Sequence, residues 1–486
     1  MPLDPDDARK RVEKLSQELT ERRPTVEERL LYYKGELGRL RFATEEFAEY
    51  HGDRFTGFND NWCQPVVTAA AERMELRGIR LADERRADRQ LAQVWDANDC
   101  DRGSSEAFAV FMAAAWSYAL VHPGESPDDM PRITWEHPTQ AIVDRNPVTG
   151  DIRAGLVAWI DDDFDHATLY TDDEVWKWQR SRSPDRWDSK LPTTGGGWEP
   201  RLVEGESWPM ANPLGLVPMV ELRNQTLLDE LPISDIAGVM SMQDAINLVW
   251  AYLLNALDYA SLPGRVVMNA EAPRVPILDK DGQETGATRP LDLDTLVKER
   301  ILWVPGQNAS IGEWTAANLD AFSKVIEHAV EHVAAQTRTP PHYLMAKLIN
   351  AAAEALTIGE TGLVSRTGER ITYAKAPMRR LNRLMALALG DPDKAEQCRT
   401  GTLLWKNVQY RSEAQLADAL IKKRELGYPL RYLLELDGLD PDEVDRVMAM
   451  AEEEARDPLG ERLMGGLNGA TADDEPAPSP AGATGG

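Results

Sequence analysis

Ser234–Leu262 reads SDIAGVMSMQDAINLVWAYLLNALDYASL, and Glu313–Gln336 reads EWTAANLDAFSKVIEHAVEHVAAQ. Both segments are free of proline and carry apolar residues at helical spacing. In the first, Asp244, Asn247, Asn255 and Asp258 fall on one face at a 3.6-residue period, and the other faces are largely apolar. Such a helix is expected to be buried on most sides, with help from subunit packing. In the second, Asp320, Lys324, Glu327 and Glu331 form one stripe, and Phe322, Val325, Ile326, Ala329 and Val333 form an apolar one. Between them Gly264–Pro290 holds short strand candidates, an Asp281-Gly282 turn and prolines that limit strand length. PPHYL at Pro340–Leu344 stops the second helix abruptly. A further helical run extends from about Ile349 to Leu389, with Gly359, Gly362, Gly368 and Pro377 as candidate breaks. Two helices joined by a small β insert and closed by a far loop make a hairpin-like rod, not a catalytic pocket.

Outward from that rod the pattern is α+β. Residues 6–23 read as a charged helix ending at Pro24. Thr25 and Glu28 have capping-box form and open a second helix carrying LLYYKGEL. Asn61–Arg77 reads as helical after Pro65, with Val66, Val67, Ala70 and Met74 apolar; Asp88–Asp99 and Ser105–Ala115 are two more helices. From Trp116 the runs SYALVH, RITWEH, QAIVD, GLVAWID, HATLYT and EVWKWQ are short, β-branched or aromatic, and separated by breakers such as Asn146-Pro147 and Thr149-Gly150. They predict an antiparallel β region over about 116–222, containing a polar Gly-rich loop at Ser181–Gly197 and closed by Ala211–Leu222. Gly390–Lys394 reads as a linker. Ser412–Leu426 and Pro441–Ala455 read as helices. The tail from Gly465 has the Gly/Ala/Pro/Asp composition of a disordered segment.

The chain has 486 residues, 42% of them hydrophobic and 28% charged, enough for a large core in several domains. It carries 81 acids against 54 bases, a net charge of −27. That balance disfavours wrapping nucleic acid by phosphate neutralisation, but it suits a wall past which DNA slides. Cys63, Cys100 and Cys398 are far apart and form no CxxC, so neither a disulfide framework nor a zinc knuckle is expected. The N-terminus lacks the apolar core of a signal peptide. The uncharged run Ala107–Val121 is shorter than the roughly 20 residues that span a bilayer and reads as a buried helix running into a strand.

HAVEH at His328–His332 matches an inverted zinc-protease pattern, with Glu331 as the base. Five residues with three fixed positions match readily by chance, and Glu331 already belongs to a charged stripe. A solvated or subunit-facing helix is the expectation, with a zinc hydrolase as the rival reading. Asp279–Gly282 imitates a calcium loop but places its glycine two residues early, so a hairpin turn is expected. Asp161–Asp163 reads as an exposed turn between two strands. No P-loop, GxGxxG or GxSxG occurs. No catalytic residue, cofactor or resident metal is assigned. Arg338, His342 and Lys347 surround PPHYL as a small basic group able to touch phosphate.

Several of these stretches resemble the portal proteins of long-tailed phages, of the type common in phages of actinobacteria. They are YYKG from Tyr32, NWCQPVV and AERM from Asn61, VWDANDCD from Val94, WSYALV, ITWEHPTQAIV and DRNPVTGDIRAGLVAW. NPLGLVPMVELRNQ, the Ser234–Leu262 segment, TPPHYL with AEAL, and LADALIKKRELGYP complete the set, over about residues 25–455. The resemblance implies an α+β portal fold. In it 1–233 would form a wing and 234–262 and 313–336 a stem, with 263–312 as a clip. Residues 337–350 would form a tunnel loop, 351–389 a long wing helix, 390–464 a crown, and 465–486 a disordered tail.

It also implies a homo-oligomeric ring, usually of twelve subunits, at one vertex of the virion, assembled in the host cytoplasm. The implied partners are the terminase large subunit, the major capsid and scaffolding proteins, a head–tail adaptor, and double-stranded DNA held weakly and without sequence preference, with no membrane. Asp320, Lys324, Glu327 and Glu331 are then expected at the channel wall, and Arg338, His342 and Lys347 near the DNA. A different head protein of the virion is the remaining alternative.

Overall fold

The computed structural model describes residues 3–456, less 39, 56, 83, 85, 125–128, 183–190, 193–194, 229–230, 262–264, 269–273, 280–282, 291–300, 305–309, 314–317, 345–352 and 410–412. The expected tail from Gly465 and Lys347 lie outside these residues. The chain divides into two compact units.

The first unit comprises 1–72, 105–120 and 135–374. It opens with one helix, Pro5–Lys34. Asp4 caps its start by accepting from the Asp6 N–H. Gly35 ends it in the left-handed region (φ 74°), donating to the Leu31 and Tyr32 carbonyls. The helix does not stop at Pro24, as the sequence reading expected. A proline inside a helix costs about 3 kcal/mol. Val12, Leu15, Leu19, Val26 and Leu30, on both sides of it, are all buried, and that packing keeps the helix whole. Arg22 and Arg23, just before the proline, reinforce it. Arg22 donates to the Tyr118 hydroxyl (2.7 Å) and the Pro138 and Ala141 carbonyls (2.6 Å each), and Arg23 to the Thr139 carbonyl (2.8 Å).

Ala8, Val12, Leu15 and Leu19 pack on a six-stranded antiparallel sheet. Its strands run Ala141–Arg145, Ile152–Ile160, Phe164–Tyr170, Glu174–Ser181 and Glu199–Pro200 in order, with Met210–Ala211 pairing to Glu174–Ser181. Ile152, Ala154, Leu156 and Ala158 alternate inward, as a half-buried strand requires. Gly155 lies under Met219, so a side chain there would have to displace the Met219 thioether. Met219–Arg223 pairs antiparallel with Trp116–His122, setting Glu221 opposite Tyr118. The Asp161 turn forms as expected: its carboxylate caps the Asp163 and Phe164 N–H groups and meets His166 Nε2 at 2.6 Å.

The two central helices are Met240–Ser261 and Leu319–Thr337, and they pack against each other. Both start later than the periodicity implied. Residues 234–239 form turns, because the Ser234 hydroxyl donates to the Ala113 carbonyl (2.5 Å) and the Asp235 N–H to the Met112 carbonyl (3.0 Å). Glu313 ends a strand, Ser310–Glu313, antiparallel to Arg265–Met268, which also pairs in parallel with Ile301–Val304. Arg274–Leu278 and Glu284–Pro290 make a hairpin. The Asp281-Gly282 turn lies outside the described residues, but the Asp279 N–H to Gln283 carbonyl bond (2.8 Å) brackets it. Ala353–Ala388 is one helix through Gly359, Gly362, Gly368 and Pro377, so none of the candidate breaks interrupts it.

The second unit comprises 73–104, 121–134 and 375–486. Leu76–Arg80, whose first two residues the sequence reading placed at the end of a helix, is a strand antiparallel to Thr402–Trp405. In the first unit, the helix Cys63–Ala71 tolerates Pro65 in its first turn, where the proline's missing N–H has no helical partner to lose. Arg89–Ala97 is capped by Asp88, which accepts from the Leu91 N–H (2.8 Å). Gly390–Lys394 is not a linker. Asp391 caps a short helix, Pro392–Cys398, through the Lys394 N–H. Glu413–Glu425, Leu430–Asp437 and Pro441–Arg456 follow. Among the described residues no helix is long and apolar enough to cross a membrane.

Candidate functional site

The Leu319–Thr337 helix begins where the Asn318 side chain accepts from the Asp320 N–H. Its buried face is Ile326, Val330, Val333, Ala334 and Thr337. This face is rotated from the expected stripe: Val325 is 53% exposed, and Phe322 and Ala329 are only half-buried. The neighbouring Met240–Ser261 helix sets the rotation. Asp320, Lys324, Glu327 and Glu331 are all exposed, together on the face turned from that contact. His328 Nδ1 lies 3.2 Å from Glu331 Oε2, an exposed pair one turn apart. Among the described residues no group of three His, Cys, Asp or Glu side chains could hold a metal, so HAVEH has no third ligand for zinc. Nor is there a reactive thiol to find at Cys63 or Cys398, where burial pushes each up to about 12.

The helix ends on Arg338, itself left-handed (φ 53°). The chain then makes a one-turn helix, Pro341–Leu344. The basic corner does not stand alone. Arg338 reaches Glu369 at 3.4 Å and His342 reaches Glu360 at 3.8 Å, both carboxylates belonging to the Ala353–Ala388 helix.

Two residues of the first central helix's polar stripe, Asp244 and Asn247, are buried in contacts within the chain. Asp244 accepts from the Tyr32 hydroxyl (2.6 Å), and Asn247 bonds the Asn59 side chain (2.6 Å) and the Asp60 N–H (3.0 Å). Asp258 pairs with Arg54. Gln243, which the stripe omitted, accepts from the Trp62 N–H (2.7 Å) and donates to the Asp60 carbonyl (2.6 Å). Trp250 Nε1 donates to the Asp60 carboxylate (2.7 Å). Gln243, Asp244 and Asn247 thus hold Tyr32 and residues 59–62 of their own chain. Buried polar groups must be paired, and this irregular segment supplies the partners. The signal was the polar run Asn59-Asp60-Asn61, whose partner a helical period alone does not identify. The sequence also gave no hint of a buried ion pair between Asp235 and Arg370 (2.9 Å).

A family model described as "Phage portal protein, SPP1 Gp6-like" matches residues 12–457. The portal protein of Mycobacterium phage D29 is 26% identical over 368 residues, covering 73% of this chain and 70% of the relative. That of Mycobacterium phage L5 is 25% identical over 369 residues, with the same coverage. Among solved structures, the neck of a native gene transfer agent particle, computed with C12 symmetry, is similar at a TM-score of 0.42 and 12% identity, covering 85% of this chain and 98% of that one.

Proposed function

The chain belongs to the SPP1 Gp6-like phage portal protein family, and from that premise we propose that its copies close into a ring, twelve in number, at one vertex of a phage head. The ring is the passage for double-stranded DNA during packaging and ejection. It docks the terminase large subunit first and a head–tail adaptor afterwards, and it meets the major capsid and scaffolding proteins during assembly in the host cytoplasm. The observation that carries this reading is the family match over residues 12–457.

Within that reading the wing is 1–233, the stem uses the helices inside 234–262 and 313–336, and the clip is 263–312. The tunnel loop is 337–350, the long wing helix 351–389 and the crown 390–464. The second stem helix has charges to offer a channel. Asp320, Lys324, Glu327 and Glu331 are exposed on one face, whereas the first helix buries Asp244 and Asn247 in its own chain and pairs Asp258 with Arg54. Three acids and one base, repeated around an axis, make a negative tube that holds DNA weakly and lets it slide. A head-to-tail ring needs complementary faces and no reaction chemistry, so ATP is hydrolysed by the separate motor. Arg338 approaches DNA with its charge already partly met by Glu369, and His342 lies beside Glu360.

Electron microscopy with mass measurement of the purified protein, with scaffold present, tests the ring. Closed rings with an open centre are expected, and shells or irregular aggregates would favour a different head protein. Changing Glu327 and Glu331 to Lys tests the channel wall. Rings should form normally while DNA packaging falls, and unimpaired packaging would remove these residues from the wall.

A further inference from the structure

A polar cleft of about 300 Å³ lies in the first unit, lined by Asp235, Arg338, Arg366, Glu369, Arg370 and Tyr373 among others. Its floor is one stripe of the Ala353–Ala388 helix, since Gly362, Arg366, Arg370 and Tyr373 recur every three or four residues. Gly362 lets the cleft form. A Cβ there would sit 3.2 Å from the Arg338 Cβ, so the glycine admits the 337–339 corner against the helix and brings a third guanidinium to the same place.

The two deep arginines are incompletely satisfied. Arg366 is only 4% exposed. It donates to the Thr337 carbonyl, to Thr339 Oγ1 (3.2 Å) and to the Val66 carbonyl (2.7 Å), and its Nε–H has no acceptor. All its acceptors are neutral, and among the described residues it has no carboxylate partner. Burial holds its pKa down at about 10, with Arg370 and Arg338 adding to the effect and Asp235 opposing it. Arg370 is 6% exposed and gives its Nε–H to both Asp235 oxygens (2.9 and 3.1 Å). Its NH1 makes no hydrogen bond; Glu369 Oε2 is 3.6 Å away. Three guanidinium groups against two carboxylates leave one net positive charge in the cleft. A buried cation without a counter-charge is costly, and the missing partner is an oxyanion acceptor.

We propose that this cleft binds a small tetrahedral oxyanion of the phosphate or sulfate class, held by Arg366 and Arg370 with Arg338 at its mouth. The depth of the two arginines selects a free ion: a duplex backbone is too wide to reach side chains this buried. All the lining residues belong to one chain, so phosphate binding does not require the ring.

Inorganic phosphate titrated calorimetrically into the full-length protein, at low ionic strength and against sodium chloride of matched ionic strength, tests this. One phosphate per chain is expected, displaced by sulfate and not by chloride. Arg366→Lys keeps the charge but loses the planar fork, and Arg338→Glu places a carboxylate at the mouth; each should weaken binding about tenfold or more. Arg338 is exposed, so its variant decides the matter even if Arg366→Lys fails to fold. Absence of binding beyond the chloride control, or unchanged affinity in Arg338→Glu, overturns the assignment.

Discussion

Tyr32 donates its hydroxyl to Asp244 Oδ2 at 2.6 Å, joining the end of the first helix to the start of the first central helix across 212 residues of sequence. Both groups are buried. Burial raises the Tyr32 hydroxyl, and the bond to Asp244 raises it further. Burial also raises the Asp244 carboxyl above its usual 3.8, against the opposing pull of Tyr32 and Arg41. Removing the hydroxyl with Tyr32→Phe leaves a buried carboxylate without that donor, at a cost of about 1–3 kcal/mol. Urea denaturation of the variant beside the parent measures it, and equal midpoints would refute the role.

The same pair gives a pH dependence. A raised carboxyl binds its proton more tightly in the folded state than in the unfolded one. Its stabilising contribution is full below the ordinary value of 3.8 and is lost as pH rises through the raised folded value. Asp244→Asn keeps an acceptor for Tyr32 and cannot titrate. Its stability relative to the parent should improve from acid toward neutral pH. A difference that stays flat with pH would show that Asp244 titrates normally.

Gly362 and Gly368 lie in one helix but should respond oppositely to alanine. Nothing stands within 4 Å of a Cβ on Gly368, so Gly368→Ala should stabilise by about 0.5–1 kcal/mol through helix propensity. Gly362→Ala meets Arg338 and should lose that gain to crowding. Equal gains in thermal unfolding would show that the corner yields freely.

Arg22 fastens the first helix to the β region through three oxygens. Arg22→Ala should destabilise by about 2–4 kcal/mol. Lysine should recover only part of this, because it lacks the planar fork that reaches all three. Full rescue by lysine in chemical denaturation would reduce the contact to simple charge.

Leu227, Leu228 and Leu231 are strongly exposed on one loop, and Leu227 and Leu228 are both left-handed (φ 49° and 64°). Exposed apolar side chains clustered in this way mark a protein contact. Aspartate at Leu227 and Leu231 should leave the unfolding free energy of the single chain within about 0.5 kcal/mol of the parent while weakening ring assembly. Assembly at the parent's concentration, followed by light scattering, would place the loop outside the subunit contact.

The strands from Ala141–Arg145 to Glu174–Ser181 were legible because alternation and turn residues are local signals, and their sheet pairs sequence neighbours. The helix beginning near Asp88 and the charged stripe of Asp320, Lys324, Glu327 and Glu331 were legible for the same reason. Leu76–Arg80 was misread because its partner, Thr402–Trp405, is distant in sequence, and an edge pair of five and four residues carries little periodicity of its own.

The amino-acid sequence by itself determined the α+β class, the two central helices with a β insert between them, the absence of nucleotide-binding glycine motifs and the family likeness. All of these reside in spacing along the chain. Only the tertiary structure decided that Pro24 stays inside a helix, that Asp244 and Asn247 turn inward to Tyr32 and residues 59–60, and that three arginines meet at one cleft. Each of these is settled by a buried group finding or lacking a partner far along the chain. A helical or strand period specifies which residues share a face, but not what that face meets.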